Sequence, residues 1–295
     1  MNKKGFFVIG DPHFQEKAYL ECESLIEKTI EAIKKTKPLY TIILGDSLDT
    51  HEKVKQPQFE QVCRFIDEIS QLNKVFVLMG NHDLINQNQY LTTNHFFNPL
   101  KKWKNVEIID YPKLIKFKDE KNVDRQIVLC PYVPTGRVID ALDELSKESI
   151  DWTISDIIFG HFEMKGSIYR GGVESEQGDD WDQNFPPLIS GHIHNESIIG
   201  NNVFYVGSSR QILSSDHPDK YFWHILFHQT KKYKDYQYFH LLKIKVGLKT
   251  IKEVDHTFDD ILDFDFSLLE KYYITIIFRG TKDQFKVFKK GKTYK

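Results

Sequence analysis

The stretch FFVIGDPHF, residues 6–14, decides how this chain folds. Its first five residues read as a buried strand ending at Gly10, and Asp11 and His13 follow at once. Two further stretches repeat the design. LYTIILG (39–45) leads into Asp46 and Asp49, and KVFVLMG (74–80) leads into Asn81, His82 and Asp83. Between these strands lie two helical periodicities. Residues 18–35 place Cys22, Leu25, Ile26, Ile30 and Ile33 at helical spacing ahead of Pro38. From Pro57 to Leu72, Phe59, Val62, Phe65, Ile66 and Ile69 share one face. Strand, helix, strand, helix, strand predicts right-handed crossovers and a sheet covered on both faces.

Later apolar runs add strands: RQIVLCPY (125–132), SDIIFGH (155–161), PLISGHIH (187–194) and NVFYVGS (202–208), with a helical segment near GRVIDALDELSK (136–147). From about Tyr221 the pattern turns to aromatic-rich strands, YFWHILFH, YQYFHLLKIKV and KYYITIIFRG. The expected fold is α/β, a layered β-sandwich flanked by helices with a smaller β-rich capping region. Residues 1–209 form the catalytic domain of that reading and 210–295 the capping region. There is no internal repeat and no low-complexity linker.

With 295 residues, 40% hydrophobic and 28% charged, the chain can bury a real core. Its only early apolar run spans Phe6 to Gly10, too short for a signal peptide or membrane span, so an intracellular, cytoplasmic protein with no membrane anchor is expected. Cys22, Cys63 and Cys130 are widely spaced and read as reduced thiols rather than disulfides or zinc ligands. Net charge is −2, giving no global pull toward nucleic acid. Residues 231–295, however, hold 15 Lys/Arg against 9 Asp/Glu, a net of +6, leaving −8 for the first 230. Part of that acid is in VESEQGDDWD (173–182), read as a solvated loop.

The chemistry gathers at strand ends. GDPHF, GDSLD, GNHD, FGHFE and SGHIH each follow an apolar run, and open α/β sheets bind ligands beyond the carboxyl ends of their strands. Singly, each motif is weak, since a lone His is usually a satisfied polar side chain. Five together are another matter. In the last motif, His192 and His194 would point to one side of an extended strand, sharing a metal or serving neighbouring ones. Gly10, Gly45, Gly80, Gly160 and Gly191 are expected to let the backbone turn sharply near an ion. Carboxylate, carboxamide and imidazole donors without thiolate suit Mn²⁺, Fe²⁺ or Zn²⁺, and seven are too many for one ion.

The series GDPH, GDSLD, GNHD, GH and GHIH followed by YVGSS resembles the calcineurin-like metallophosphoesterase family over residues 6–209. FGHFEMKGSIYRGG and YVGSSRQILSSDHPDKYFW resemble SbcD-type DNA repair nucleases, especially the phage recombination endonuclease subunit. The resemblance implies two divalent ions, Mn²⁺ above all with Fe²⁺, Zn²⁺ or Mg²⁺ as other choices. Asp11, His13 and His194 would hold one, and Asn81, His161 and His192 the other. Asp46 would bridge them through its two oxygens. His82 would face the scissile phosphate, oriented by a hydrogen bond accepted by Asp49. Asp83 is open between a structural and a supporting role.

Protein phosphatases of the family carry Arg after the second Asp of GDxxD; here Thr50 and His51 follow Asp49, which argues against phosphoprotein substrates. For His51, an exposed loop residue is the plainer reading and substrate contact the sharper one. The resemblance further implies double-stranded DNA ends or hairpins as substrate and an SbcC-type SMC-like ATPase as partner, with the host cytoplasm as location if phage-encoded. A small-molecule phosphodiesterase or phosphomonoesterase is the alternative, and a non-catalytic module would require lost ligands. Homodimer contacts in the family lie near the third motif, where Phe96 and Phe97 suit a core better. Phe222, Trp223, Tyr236, Tyr238 and Phe239 could touch nucleic acid but fit strand packing better. The tail TKDQFKVFKKGKTYK, with six lysines, could lean on phosphates or on the ATPase.

Overall fold

A computed structural model describes residues 5–51, 53–227, 239–257, 265, 267–283 and 285. Its strands are β1 (Phe6–Ile9), β2 (Tyr40–Ile43), β3 (Lys74–Leu78), β4 (Val106–Ile109), β5 (Lys113–Lys118), β6 (Asp124–Leu129) and β7 (Ile157–Gly160). They continue with β8 (Leu188–Ser190), β9 (Ser197–Ile199), β10 (Val203–Tyr205), β11 (Tyr221–Phe227) and β12 (Phe239–Lys245). Helices α1 (Tyr19–Thr36) and α2 (Gln56–Ser70) fall where the periodicity places them, and α3 (Val138–Asp143) is short. α1 stops at Lys37, whose φ of +49° leaves the helical region, because the following Pro38 disfavours helical backbone before it. α2 begins with Pro57 in its first turn, where a missing N–H costs nothing.

Two six-stranded sheets form a sandwich. The first runs β12-β11-β1-β2-β3-β4 and the second β5-β6-β7-β8-β10-β9. β1 to β4 are parallel, as are β6, β7, β8 and β10; β11 pairs antiparallel with β1. The uninterrupted apolar strands follow from cover on both faces. Phe6, Val8, Ile42, Leu44, Phe76 and Leu78 meet Ile127, Leu129, Ile157, Phe159 and Ile189 between the sheets. Alternate residues Phe7, Ile9, Ile43, Val75 and Val77 pack with Cys22, Leu25, Ile26, Val62, Phe65 and Ile69 of α1 and α2. A third core joins Val128, Ile158 and Leu188 to Val138, Ala141 and Leu142 of α3. Each fully buried Phe or Ile contributes about 1.5–3 kcal/mol of transfer energy.

Of the aromatic strands after Tyr221, β11 and β12 extend the first sheet beyond β1, and the compact first unit runs to Leu248. Phe222 and Trp223 are buried in its cores and Phe239 packs against one of them; Tyr236 and Tyr238 lie outside the described residues. Phe97 is fully buried, whereas Phe96 is 37% exposed. The second unit, from Lys249, contains β13 (Thr250–Thr257) and β14 (Tyr272–Arg279), paired in parallel, with the short α4 (Leu268–Lys271) just ahead of β14. Of the lysine-rich tail only 281–283 and 285 are among the described residues. All three cysteines are free, and burial pushes each thiol's pKa up. No helix among the described residues is long and apolar enough to cross a membrane.

Candidate metal centre

Because β1, β2 and β3 run parallel, as do β7 and β8, the loops after all five strands meet at one end of the sandwich. The structure brings the seven expected ligands together there in two adjoining groups. Asp11, His13 and His194 form one, and Asp46, His161 and His192 the other, with every donor atom of a group within 4.8 Å of its companions. Asn81 joins the second: its Oδ1 lies 3.1 Å from His161 Nε2 and 3.0 Å from His192 Nδ1. His13, Asp46 and His82 make a third, overlapping group.

His192 and His194 reach these groups by a route that strand alternation does not describe. β8 ends at Ser190, and His192 has a left-handed φ of +80°, so the two rings diverge into separate groups instead of sharing a face. Asp11 (φ +23°), His13 (+45°) and Asp46 (+46°) are left-handed too. Such backbones cost about 1–3 kcal/mol each outside glycine and persist where the surroundings over-determine them. The glycines therefore serve differently from expectation. Of the five strand-end glycines only Gly45 has a left-handed φ, +104°. Gly80 and Gly191 are needed for room: a Cβ on Gly80 would fall 2.2 Å from Asp46 Oδ1, and one on Gly191 2.3 Å from Asp11 Oδ1.

Asp46 sits at the junction. Its Oδ1 accepts the backbone N–H of His82 at 2.8 Å, and its Oδ2 faces both groups, 3.3 Å from His161 Nε2 and 3.6 Å from His13 Nε2. His161 donates Nδ1–H to the Leu44 carbonyl at 2.7 Å, which fixes the tautomer and presents Nε2 to Asp46 and Asn81. His13 Nδ1 lies 3.3 Å from Asp49 Oδ1, and its Nε2 faces His194 Nε2 at 3.0 Å. The Asp49 carboxylate therefore serves His13. His82 is held instead by the Asp49 main-chain carbonyl, 3.1 Å from its Nδ1.

Electrostatics divide the carboxylates. Burial, reinforced by Asp46, pushes Asp11 up to about 7 despite His161. Burial also works against ionised Asp46, but His161, His13 and His82 outweigh it and hold Asp46 well below the usual carboxylate range. His161 rises to about 9: burial opposes the charge, and Asp46 and Asp11 more than restore it. Burial and neighbouring His161 drive His192 down to about 3, and burial lowers His13. The donor set fits divalent ions. The facing nitrogens of His13 and His194 need a proton or cation between them, and buried Asp11 Oδ1 has no hydrogen-bond partner. Oxygen and neutral imidazole donors without thiolate match Mn²⁺, Fe²⁺ or Zn²⁺.

The chain matches the calcineurin-like phosphoesterase family over residues 5–196. It belongs to that family. This phosphoesterase is 32% identical over 284 residues to the protein named "Putative phosphoesterase 244L" of Invertebrate iridescent virus 6, with 96% of each chain covered. It is 29% identical over 294 residues to "Putative phosphoesterase 078R" of Invertebrate iridescent virus 3, covering 100% of this chain and 81% of that one. A solved crystal structure, 12% identical, superposes with a TM-score of 0.50 over 82% of this chain and 99% of its own, a likeness of fold alone.

Several residues of this phosphoesterase's site support the ligands from outside their set. Asp83 faces away from the ligands: its carboxylate accepts the N–H groups of Gly80 (2.9 Å), Leu48 (2.9 Å) and Ser47 (3.3 Å), tying the second strand-end loop to the third. Burial, with Asp46 nearby, raises it to about 7 against the pull of those amides. Arg210 is 1% exposed and donates to the carbonyls of Pro12, His13 and Gln211 and to Glu21, bracing the left-handed Asp11–His13 turn from behind. A cation inside SSRQIL is the one signal for it, since an apolar setting demands that Arg be fully paired. Tyr169 places its hydroxyl 3.4 Å from His192 Nε2. In the acidic stretch 173–182, Asp179 is no solvated charge, because it accepts Gly136 N–H at 2.7 Å and Val138 N–H at 3.3 Å ahead of α3.

Proposed function

We propose that this phosphoesterase is a two-metal-dependent phosphodiesterase acting on DNA, an SbcD-type nuclease that works with an SbcC-type ATPase in break repair or recombination. The observation that carries the phosphodiester reading is Asp46 Oδ2 lying between two histidine groups, with His82 beside them at a ring distance of 5.0 Å from His13. Asp11, His13 and His194 would hold one divalent ion and Asn81, His161 and His192 the other, with Asp46 common to both. Bound ions would polarise the phosphoryl oxygens and lower the pKa of an attacking water toward about 7.

The chain's own groups do the rest. His82 keeps Nδ1–H on the Asp49 carbonyl, so only as the imidazolium, with a second proton on Nε2, can its free nitrogen donate to a phosphate or departing oxygen. The Asp49 carboxylate turns the His13 ring so that Nε2 faces the ions' side. DNA as substrate is supported by the FGHFEMKGSIYRGG and YVGSSRQILSSDHPDKYFW stretches and by the net +6 of residues 231–295. Thr50 in place of a phosphate-clamping Arg weighs against phosphoproteins. A homodimer and a cytoplasmic location, the host's if virus-encoded, belong to the same proposal.

Purified protein with Mn²⁺ is given double-stranded DNA with free ends, a DNA hairpin and a chromogenic phosphodiester. The proposal expects cleavage of all three, with DNA cut at the ends or the hairpin. Cleavage of the chromogenic ester alone would favour a small-molecule phosphodiesterase, and cleavage of none would remove the enzyme reading.

A further inference from the structure

Two loops of the site exchange histidines. His82, in the loop after β3, donates its Nδ1–H to the carbonyl of Asp49, 3.1 Å away in the loop after β2. His51, two residues beyond Asp49, places its own Nδ1 3.3 Å from the carbonyl of Leu84, two residues beyond His82. A carbonyl only accepts, so both Nδ1 atoms carry a proton and each ring turns its Nε2 away from that carbonyl. Between these crossed bonds the rings lie face to face, with centroids 4.7 Å apart and planes 14° apart. Asp83 sits between His82 and Leu84 and binds the same two loops through three amides.

An imidazole held by one hydrogen bond can still swing about χ2, which is a soft torsion for this side chain. A parallel plate against its face removes that freedom, and a misplacement of about 1 Å at an acting group can cost about a hundredfold in rate. We propose that His51 is a positioning residue: it stacks on His82 and locks that ring at the angle from which Nε2 meets the phosphoester, occupying the place next but one to Asp49 in a chain that lacks the phosphate-clamping Arg of the family's protein phosphatases. The inference rests on His82 acting at the phosphoester. It assigns the work to the face of the His51 ring rather than to a contact between His51 and substrate.

The test uses the full chain with Mn²⁺ and bis(4-nitrophenyl) phosphate, reading kcat, KM and bound manganese. His51→Phe, which keeps a flat ring, is expected to retain kcat within about threefold, while His51→Ala and His51→Asn lower kcat about tenfold or more at unchanged KM and full manganese. In a His82→Ala background, adding His51→Ala is expected to cost nothing further, because the ring it positions is gone. If His51→Phe falls as far as His51→Ala, or if the two alanine losses multiply, the positioning role is overturned while the role of His82 stands. If His82→Ala alone leaves turnover unchanged, the role of His82 fails and this inference fails with it.

Discussion

The four ligands from the first sheet, Asp11, His13, Asp46 and Asn81, and the three from the second, His161, His192 and His194, are held by different means. The first set is almost wholly buried, three of its members have left-handed backbones, and its carboxylates are gripped by main-chain amides: Asp46 by His82 N–H and Asp11 by His192 N–H. The second set is imidazole only, and side-chain or carbonyl partners aim its rings: Leu44 for His161 and Tyr169 for His192. Both carboxylates among the ligands thus come from the first half, where main-chain amides grip them, while the second half supplies imidazoles alone, with His192 left-handed as well. In the proposed two-ion site a carboxylate fixed by backbone could not move to accommodate one ion without the other, and Asp46 would be its joint.

The comparison breaks first at that joint. Asp46→Asn is expected to lower Mn²⁺-dependent phosphodiester turnover by about 10³-fold and to disturb both ions, whereas His192→Ala or His194→Ala should each cost one ion. Metal analysis of the three variants checks it, and equal stoichiometry in all three would erase the distinction between the halves. Behind the first half, Arg210→Met should destabilise the protein by about 3–5 kcal/mol in urea unfolding, since it strands buried Glu21 without a counter-charge. A loss under about 1 kcal/mol would mean the Asp11–His13 turn needs no brace.

The pH dependence sharpens the comparison. Before ions bind, Asp11 keeps its proton up to about 7 and His161 up to about 9, and both protons must leave when a cation enters. Manganese affinity should therefore rise with pH through the window from about 7 to 9, with protons released on binding. Titration calorimetry in buffers of different ionisation heat measures this, and a flat affinity with no release would contradict it. The smallest effect is expected in the all-imidazole half, where Tyr169→Phe, by freeing His192 Nε2, should weaken Mn²⁺ binding by about tenfold.

Much of the fold was legible because its strands are buried on both faces and its helices are cleanly periodic. β1, β2, β3, α1 and α2 lie within a residue or two of where apolar runs and Pro38 and Pro57 put them. β4, β5 and β9 were not, since VEII is a four-residue run and KLIKFK and SII lie at sheet edges, half in water. The pairing of β11 with β1 depends on contacts between residues over 200 apart, which local pattern does not carry. At the centre, residue type names the side chains that meet, because few other side chains bind hard cations. How they meet was hidden: the left-handed His192, the turn of Asp46 Oδ2 toward both groups and the turn of the Asp49 carboxylate toward His13 all depend on which backbone N–H groups the folded loops leave nearby. His51 looked like a loop histidine because stacking on His82 has no signature at a spacing of 31 positions.

The central claim is that one oxygen of Asp46 joins two ion sites. Electron paramagnetic resonance of the protein titrated with Mn²⁺ tests it most directly. The account predicts two manganese ions per chain with the exchange-coupled spectrum of a bridged pair, and loss of that coupling in Asp46→Asn. A spectrum of isolated ions at full loading of the unaltered protein would contradict it.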